Sequence, residues 1–507
     1  MQFRTTASAG ALFVMLGAAT PALADLSAED VWSSWKNMAE GYGQTVSGTE
    51  RRQGDRLTIG DLILSSTLPE GGAVTAELGE LVFTERDDGA VEIAMPDSFP
   101  IEIGAVGSDS ETVEMGMTVA QQGLSMVATG TPDEIAYDMA APGLRMTLDS
   151  MRVDGEPVDA TMDIALEELA AAYTVARGAA TGVEGTVDVA ATRFVLAAED
   201  PAQGMAFDYQ GAVREIRSTV SSSVPRGMQD ASLGRLLSAG LTASGRVDHQ
   251  GLDYAGTIRD GGDRTEIAAR FGPGSVDYDL DRGGVLYDVR SENGQVSFAG
   301  ADLPLPQVEI GFDDSSFRIE MPLVETEDPT DFGLAARYTG LTVSDGIWAM
   351  FDPAGQLPRD PMTLVLDLGG KARLFRDITD PAAMAEAQAG GQPVPPGELH
   401  SLNVKDLQLS VAGADLTGSG AFTFDNADTA TFDGMPKPTG SLTLRLEGGN
   451  TLLDRLVNMG LVPQDQATGL RMMLGMFARP TGAGDTLVSE ITVTEDGQVL
   501  ANGQRLR

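Results

Sequence analysis

The chain of 507 residues has no cysteine. That absence removes disulfides, thiolate nucleophiles and Cys-ligated zinc or iron–sulfur sites together. Histidine is almost as scarce: only His249, in RVDHQG, and His400, in GELHSL, are present. A catalytic zinc centre built on two or three histidines therefore has too few ligands. One histidine would suffice for a Ser-His-Asp triad, but no GxSxG elbow presents a nucleophile. An unrecognised hydrolase would have to place His249 or His400 beside a serine and an acid in a cleft. A phosphate loop is missing too, because Gly369-Gly370-Lys371 is followed by Ala372 and lacks both the spacing and the hydroxyl. With three Trp and eight Tyr there are few rings for a sugar platform, and among 75 acidic residues carboxylate pairs arise by chance.

Positive charge is also sparse. Lys and Arg number 34 against 75 Asp and Glu, a formal charge of −41. Phosphate backbones need clustered cations, so nucleic acid is excluded as a partner, and adsorption to an anionic membrane surface is disfavoured. The acid reads as a solubilising exterior, with a cation-steered surface as the sharper alternative.

Long apolar runs occur only at the start. MQFRTTASAGALFVMLGAATPALAD places Arg4 before an apolar stretch from about Ala7 to Ala19, then Pro21 and the small-residue sequence Ala22-Leu23-Ala24. This is the pattern of a secretory signal peptide over residues 1–24, cleaved after Ala24 and too short to span a bilayer as a helix. With no cysteine to carry a lipid, the mature chain is expected to be soluble in the periplasm, with no transmembrane segment.

What remains is dominated by a period of two. Ser27 to Asp30 resembles a capping box, and Val31, Trp32, Trp35 and Met38 recur at helical spacing, which predicts one amphipathic N-terminal helix. From about Arg56 the alternation is that of strands. Leu81 and Phe83 lead into Asp88-Gly89, and Val91, Ile93 and Met95 return, a hairpin signature. Leu144, Met146 and Leu148 alternate with polar residues, as do Phe317, Ile319 and Met321, then Met362 to Leu368, then Leu442, Leu444 and Leu446. One apolar and one polar face per strand belongs to antiparallel sheets solvated on one side. Helical patterns are expected at Ala165–Tyr173, Ser232–Leu241, Pro381–Gln388, Thr451–Met459 and Asp465–Phe477. The expected fold is mainly β, a β-rich α+β chain. Long twisted antiparallel sheets form an open groove or pack on themselves, with an N-terminal helix and short covering helices. AGADLPLPQ at 299–307 suggests a soft boundary between a lobe over 25–302 and another over 303–507, which could equally be one unit.

Two groups of residues invite a ligand. In DYDLDRGGVLYD, Asp277, Asp279, Asp281 and Asp288 approximate calcium-loop spacing, but Arg282 occupies the place of the loop glycine and Gly283 comes one position late. Val276, Tyr278 and Leu280 alternate against the acids, so a hairpin is the preferred reading. Methionine numbers 22. Met115 and Met117 share a strand face, and Met472, Met473 and Met476 crowd a helix, which suits core filling or an adaptable apolar surface better than a Cu(I) site lacking histidine. Trp32, Trp35, Met115, Met117, Met473 and Met476 are thus the residues for an apolar ligand or partner surface. No catalytic residue and no cofactor is assigned.

IWAMFDPAGQLPRDPMTLVLDLGGKARL, with Trp348, Asp352-Pro353 and Arg359-Asp360-Pro361, resembles the DUF2125 family of exported alphaproteobacterial proteins. LEGGNTLLDRLVNMGLV and ITVTEDGQVLANGQ carry the likeness further, and it is expected over the mature chain. In its closing hairpin, Asp496, Gly497, Val499, Asn502 and Gly503, the chain is also loosely similar to YdgA and AsmA-like envelope proteins. The resemblance implies export and fold, and supplies no catalytic residues. A non-enzymatic envelope protein that binds or shields an apolar ligand, such as lipid, or organises an envelope partner is the expected function. A purely structural protein with self-packed sheets is the alternative.

Overall fold

The computed structural model describes residues 26–506, apart from 42, 68–71, 107–111, 201–203, 229–230, 302, 304, 381–394 and 483. The stretch read as a signal peptide, 1–24, and the helix expected at Pro381–Gln388 lie outside the described residues. Strands make up 67 % and helices 11 % of the structure, so the chain is mainly β. All the strand pairs are antiparallel members of one continuous sheet, in which the chain meanders from Gln44–Gln53 at one end to Gln504–Arg505 at the other.

The hairpins follow the alternation in the sequence. Phe83 pairs with Ile93 around the turn at Asp88-Gly89, and Leu280 pairs with Val285 around Arg282-Gly283. Pairing continues across the soft boundary near residue 303, where Gly284–Gly300 runs alongside Gln307–Met321. The residues before and after that boundary belong to the same sheet.

The longest strands are creased at mid-length. Glu168, Glu215 and Asn293 take left-handed φ values of 50°, 48° and 50° inside Asp159–Arg177, Met205–Pro225 and Gly284–Gly300. Their cross-strand neighbours fall at Pro142, Ala190 and Asp313, and between them the row passes the break at Gln250 and the Gly272-Pro273 break. Pairing stays one to one across each such residue, while the two-residue alternation shifts by one, so that Leu166 before Glu168 and Leu169 after it pack in the same apolar cluster. The shift explains why Ala165–Tyr173 is strand and not the expected helix. Leu166 and Leu169 flank Glu168 three positions apart, which mimics a helical period in a run rich in Ala, Leu and Glu.

The helices sit at the ends and edges of the sheet. Ala28–Gly41 lies on the apolar face of the first strands, and the largest core forms beneath it from Val31, Trp32, Leu57, Ile59, Leu81, Phe83, Ile93, Ile135, Tyr137 and Val175. Leu233–Ser238 lies at one lateral edge. Asp345–Phe351 and Gly449–Asn458 meet at the other, around buried Trp348, Leu357 and Ala412. Gln464–Phe477 packs on the strand Thr486–Val493. No helix among the described residues is long and apolar enough to cross a membrane.

The FDPAGQLPRDP segment forms a corner. Asp352 is fully buried, and its carboxylate accepts the amide hydrogens of Gln356 and Leu357, each at 2.8 Å. Burial works to raise this carboxyl, but the amides and nearby Arg359 outweigh it and hold it below the usual carboxylate range. Arg359 itself pairs with Asp345 at 2.7 Å and lies over the Trp348 ring.

Candidate functional site: an uncovered apolar face

Strand register lines up one row of apolar residues across the sheet. From Val91 it runs through Ala128, Tyr137, Tyr173, Gly185, Val220, Gly245, Tyr278 and Tyr287. It continues through Ile319, Leu334, Leu368, Val404, Gly420, Leu442 and Ile491. Each member faces the next, so sixteen neighbouring strands contribute only apolar, tyrosine or glycine residues. At roughly 4.8 Å per step the row is about 70 Å long if measured along the sheet. A second row lies beyond the crease: Phe99, Val119, Met146, Ile164, Phe194, Gly211, Tyr254, Ala269, Val296, Ile310 and Val343.

Cover over this face is uneven. At the N-terminal end the helix Ala28–Gly41 closes it: Trp32 is 4 % exposed and Trp35 sits 5.7 Å from Phe83 and 6.5 Å from Tyr137. Tyr137 stacks on Tyr173 at 4.8 Å, and burial pushes the Tyr173 phenol up to about 12. Over residues 284–411 the strands contact chiefly their own sheet neighbours. There Tyr287, Phe317, Leu334, Tyr338, Leu364 and Leu409 remain 36–42 % exposed on the same face. An apolar area of this kind left in water is a binding surface or an aggregation hazard.

Rings on the face lie down over neighbouring glycines. A Cβ placed on Gly245 would come within 2.6 Å of the Tyr278 hydroxyl, and one on Gly211 within 2.6 Å of Phe194 Cζ. Tyr209 covers Gly256 and Phe312 covers Gly294 in the same way. Glycine in a strand interior carries an entropic cost, but here it lets an aromatic ring lie flat and keeps the apolar surface shallow.

The opposite face is a ladder of ion pairs. Arg246 binds Asp248 at 2.8 Å and Asp277 at 2.9 Å, Asp288 binds Arg290 at 2.9 Å and lies 3.6 Å from Arg318, and Lys371 pairs with Asp331. The acids of calcium-loop spacing lie on this face. Asp277, Asp279 and Asp281 stand in line along one strand with Asp288 beside Asp277, and no group of three carboxylate or imidazole ligands gathers round a point among the described residues. Asp277 and Asp288 carry arginines, Asp281 caps the turn by accepting from the Gly283 amide at 2.6 Å, and Asp279 is held above the usual carboxylate range by partial burial and by Asp281. Hydrogen bonding to Arg290 lowers Asp288 despite its burial.

The other residues that the sequence singles out separate by position. Trp32 is buried in the core and Trp35 packs half-buried against it, so the helix lays both rings on the sheet, Trp32 Nε1 also donating to Glu50 at 2.7 Å. Met115 and Met117 do lie on the apolar face, between Ile103 and Ile101 on one side and Met151 and Leu148 on the other, with Met117 buried. Met473 and Met476 are 50 % and 62 % exposed. Neither histidine has a described hydrogen bond to a serine. His400 Nε2 lies 3.0 Å from Glu398, which also pairs with Arg373, while burial lowers His249 against Gly274. Sequence reading missed Tyr287, Leu334, Leu364 and Leu409 as site residues. Each was legible as the apolar member of its strand, but exposure depends on whether a second layer covers it.

No curated protein and no solved structure matched the chain. Residues 257–506 match the family described as an uncharacterized protein conserved in bacteria, DUF2125. The matched span contains the Asp352 corner, the exposed part of the apolar face and the closing hairpin, and leaves out the helix-capped N-terminal strands where the likeness was also expected. Through residues 257–506 the chain belongs to the DUF2125 family.

Proposed function

We propose that this is an exported envelope protein that holds the acyl chains of a lipid along its apolar sheet face, without catalysing a reaction on them. The observation that carries the reading is the in-register apolar row, uncovered where Tyr287, Leu334, Leu364 and Leu409 stand. Hydrocarbon suits it better than a peptide. The backbone groups of these strands are spent within the sheet, so a peptide on the face would leave its own amides and carbonyls without partners, whereas an acyl chain has none to satisfy. Each methylene transferred from water stabilises the complex by about 0.8 kcal/mol. The creased strands favour a trough, and the flat rings leave it shallow. Export into the periplasm, argued from the N-terminal sequence, would place the trough among lipids.

The test is chemical extraction of protein purified without detergent from its own host. Acyl lipid recovered in a defined ratio to protein supports the reading. Protein that carries none, and takes up none when incubated with a fluorescent fatty acid, overturns it.

A further inference from the structure

The helix Gln464–Phe477 has its apolar side turned away from the protein. Leu470, Met472, Met473, Met476 and Phe477 are 42, 67, 50, 62 and 38 % exposed, and Leu461, in the turn before the helix, is 47 % exposed. At 100° per residue the five helical positions fall within about half the circumference. The buried side is instead the small one, at Ala467. Ordinary packing would reverse this arrangement.

The orientation is fixed. Ser489 Oγ and Asn502 Nδ2 donate to the Phe477 carbonyl at 2.6 and 2.9 Å, tying the helix end to the last strands, and Arg471 is bound to Asp454 on the preceding helix. The helix cannot roll its methionines inward without breaking these bonds. It packs on Thr486–Val493, the strand that supplies Ile491 at the C-terminal end of the apolar row.

We infer that this helix face docks the protein on a lipid bilayer of zwitterionic headgroups, at the end of the apolar row. Charge selects the occupant. The formal charge of −41 repels an anionic surface, and within the helix the sole cation, Arg471, is already paired. An uncharged Met, Leu and Phe surface on so acidic a chain is suited to the boundary between headgroups and acyl chains, where such a face inserts. A bilayer there would also be the source or the destination of the chains held on the sheet, and in that respect the inference rests on the proposed function.

The experiment is flotation of the full chain with phosphatidylcholine vesicles, against Met472→Glu/Met473→Glu/Met476→Glu, all three positions being exposed so that folding is spared. The wild type is expected to float with the vesicles and the triple variant to lose about tenfold or more of that binding. The variant should keep its fluorescent fatty acid binding, which reads the sheet face separately. Absence of flotation by the wild type, flotation equal in the variant, or a wild-type dimer that the triple variant converts to monomer would overturn the inference. Loss of fatty acid binding in both proteins with flotation intact would count against the sheet-face reading and leave the docking helix standing.

Discussion

Tyr278 lies on Gly245 of the neighbouring strand, its hydroxyl 2.6 Å from where a Cβ on that glycine would be. The Thr219 carbonyl crowds the same point at 2.5 Å. Gly245→Ala must therefore lift the ring and shift backbone, with a cost of about 1–3 kcal/mol as for other overpacked sites. Urea denaturation should show the loss. Fatty acid binding should weaken with it, because the raised ring stands in the trough.

On the polar face, Asp288 is buried to 4 % exposure while holding Arg290 and Arg318. Asp288→Asn leaves two arginines beside a neutral group and should destabilise by about 1–3 kcal/mol, less than a fully buried pair because both guanidinium groups reach solvent. The sign with pH follows from the lowered carboxyl. Its stabilisation is complete above the unfolded value near 4 and is lost as pH falls through the folded value. The gap between wild type and variant should accordingly be full above about pH 5 and close as pH falls below about 4 in urea titrations.

Trp32 tests the capped end. Its ring fills the core beside Phe83 and its Nε1 bonds Glu50. Trp32→Ala should cost about 3–5 kcal/mol. Trp32→Phe should cost less, chiefly the hydrogen bond, about 1 kcal/mol. Because these rings are core, neither change should alter fatty acid binding at Leu334 once the protein is folded.

The Asp352 corner belongs to the family-matched half, and its role is to close a loop. Asp352→Ala removes the acceptor of the Gln356 and Leu357 amides and leaves them buried without a partner. A lower urea midpoint with an unchanged m-value is expected, with acyl lipid content per folded molecule unchanged.

Much of this architecture can be read from alternation. The hairpin at Asp88-Gly89, the acid-flanked turn at Arg282-Gly283 and four of the five helical patterns within the described residues follow from local period and turn chemistry. Ala165–Tyr173 does not, because a single left-handed residue, Glu168, shifts the strand period and imitates a helix. The site was legible only in part. Apolar positions such as Leu334 and Leu364 announce an apolar face, but whether another layer covers that face is settled by tertiary contacts far away in sequence. Trp32 and Met473 show the consequence: similar apolar residues on helical patterns, one sealed in the core and one facing solvent.

Adjacent residues on opposite faces allow the central claim to be tested at a single position. Leu334 belongs to the apolar row, whereas Ala335 points to the polar face between Arg318 and Asp367. A photoreactive benzoylphenylalanine placed at 334 or at 335 in the full chain, irradiated in the native host and analysed by mass spectrometry, should yield an acyl-lipid adduct at 334 and none at 335. Equal labelling at both positions, or protein adducts alone at 334, would contradict an acyl-chain site on the sheet.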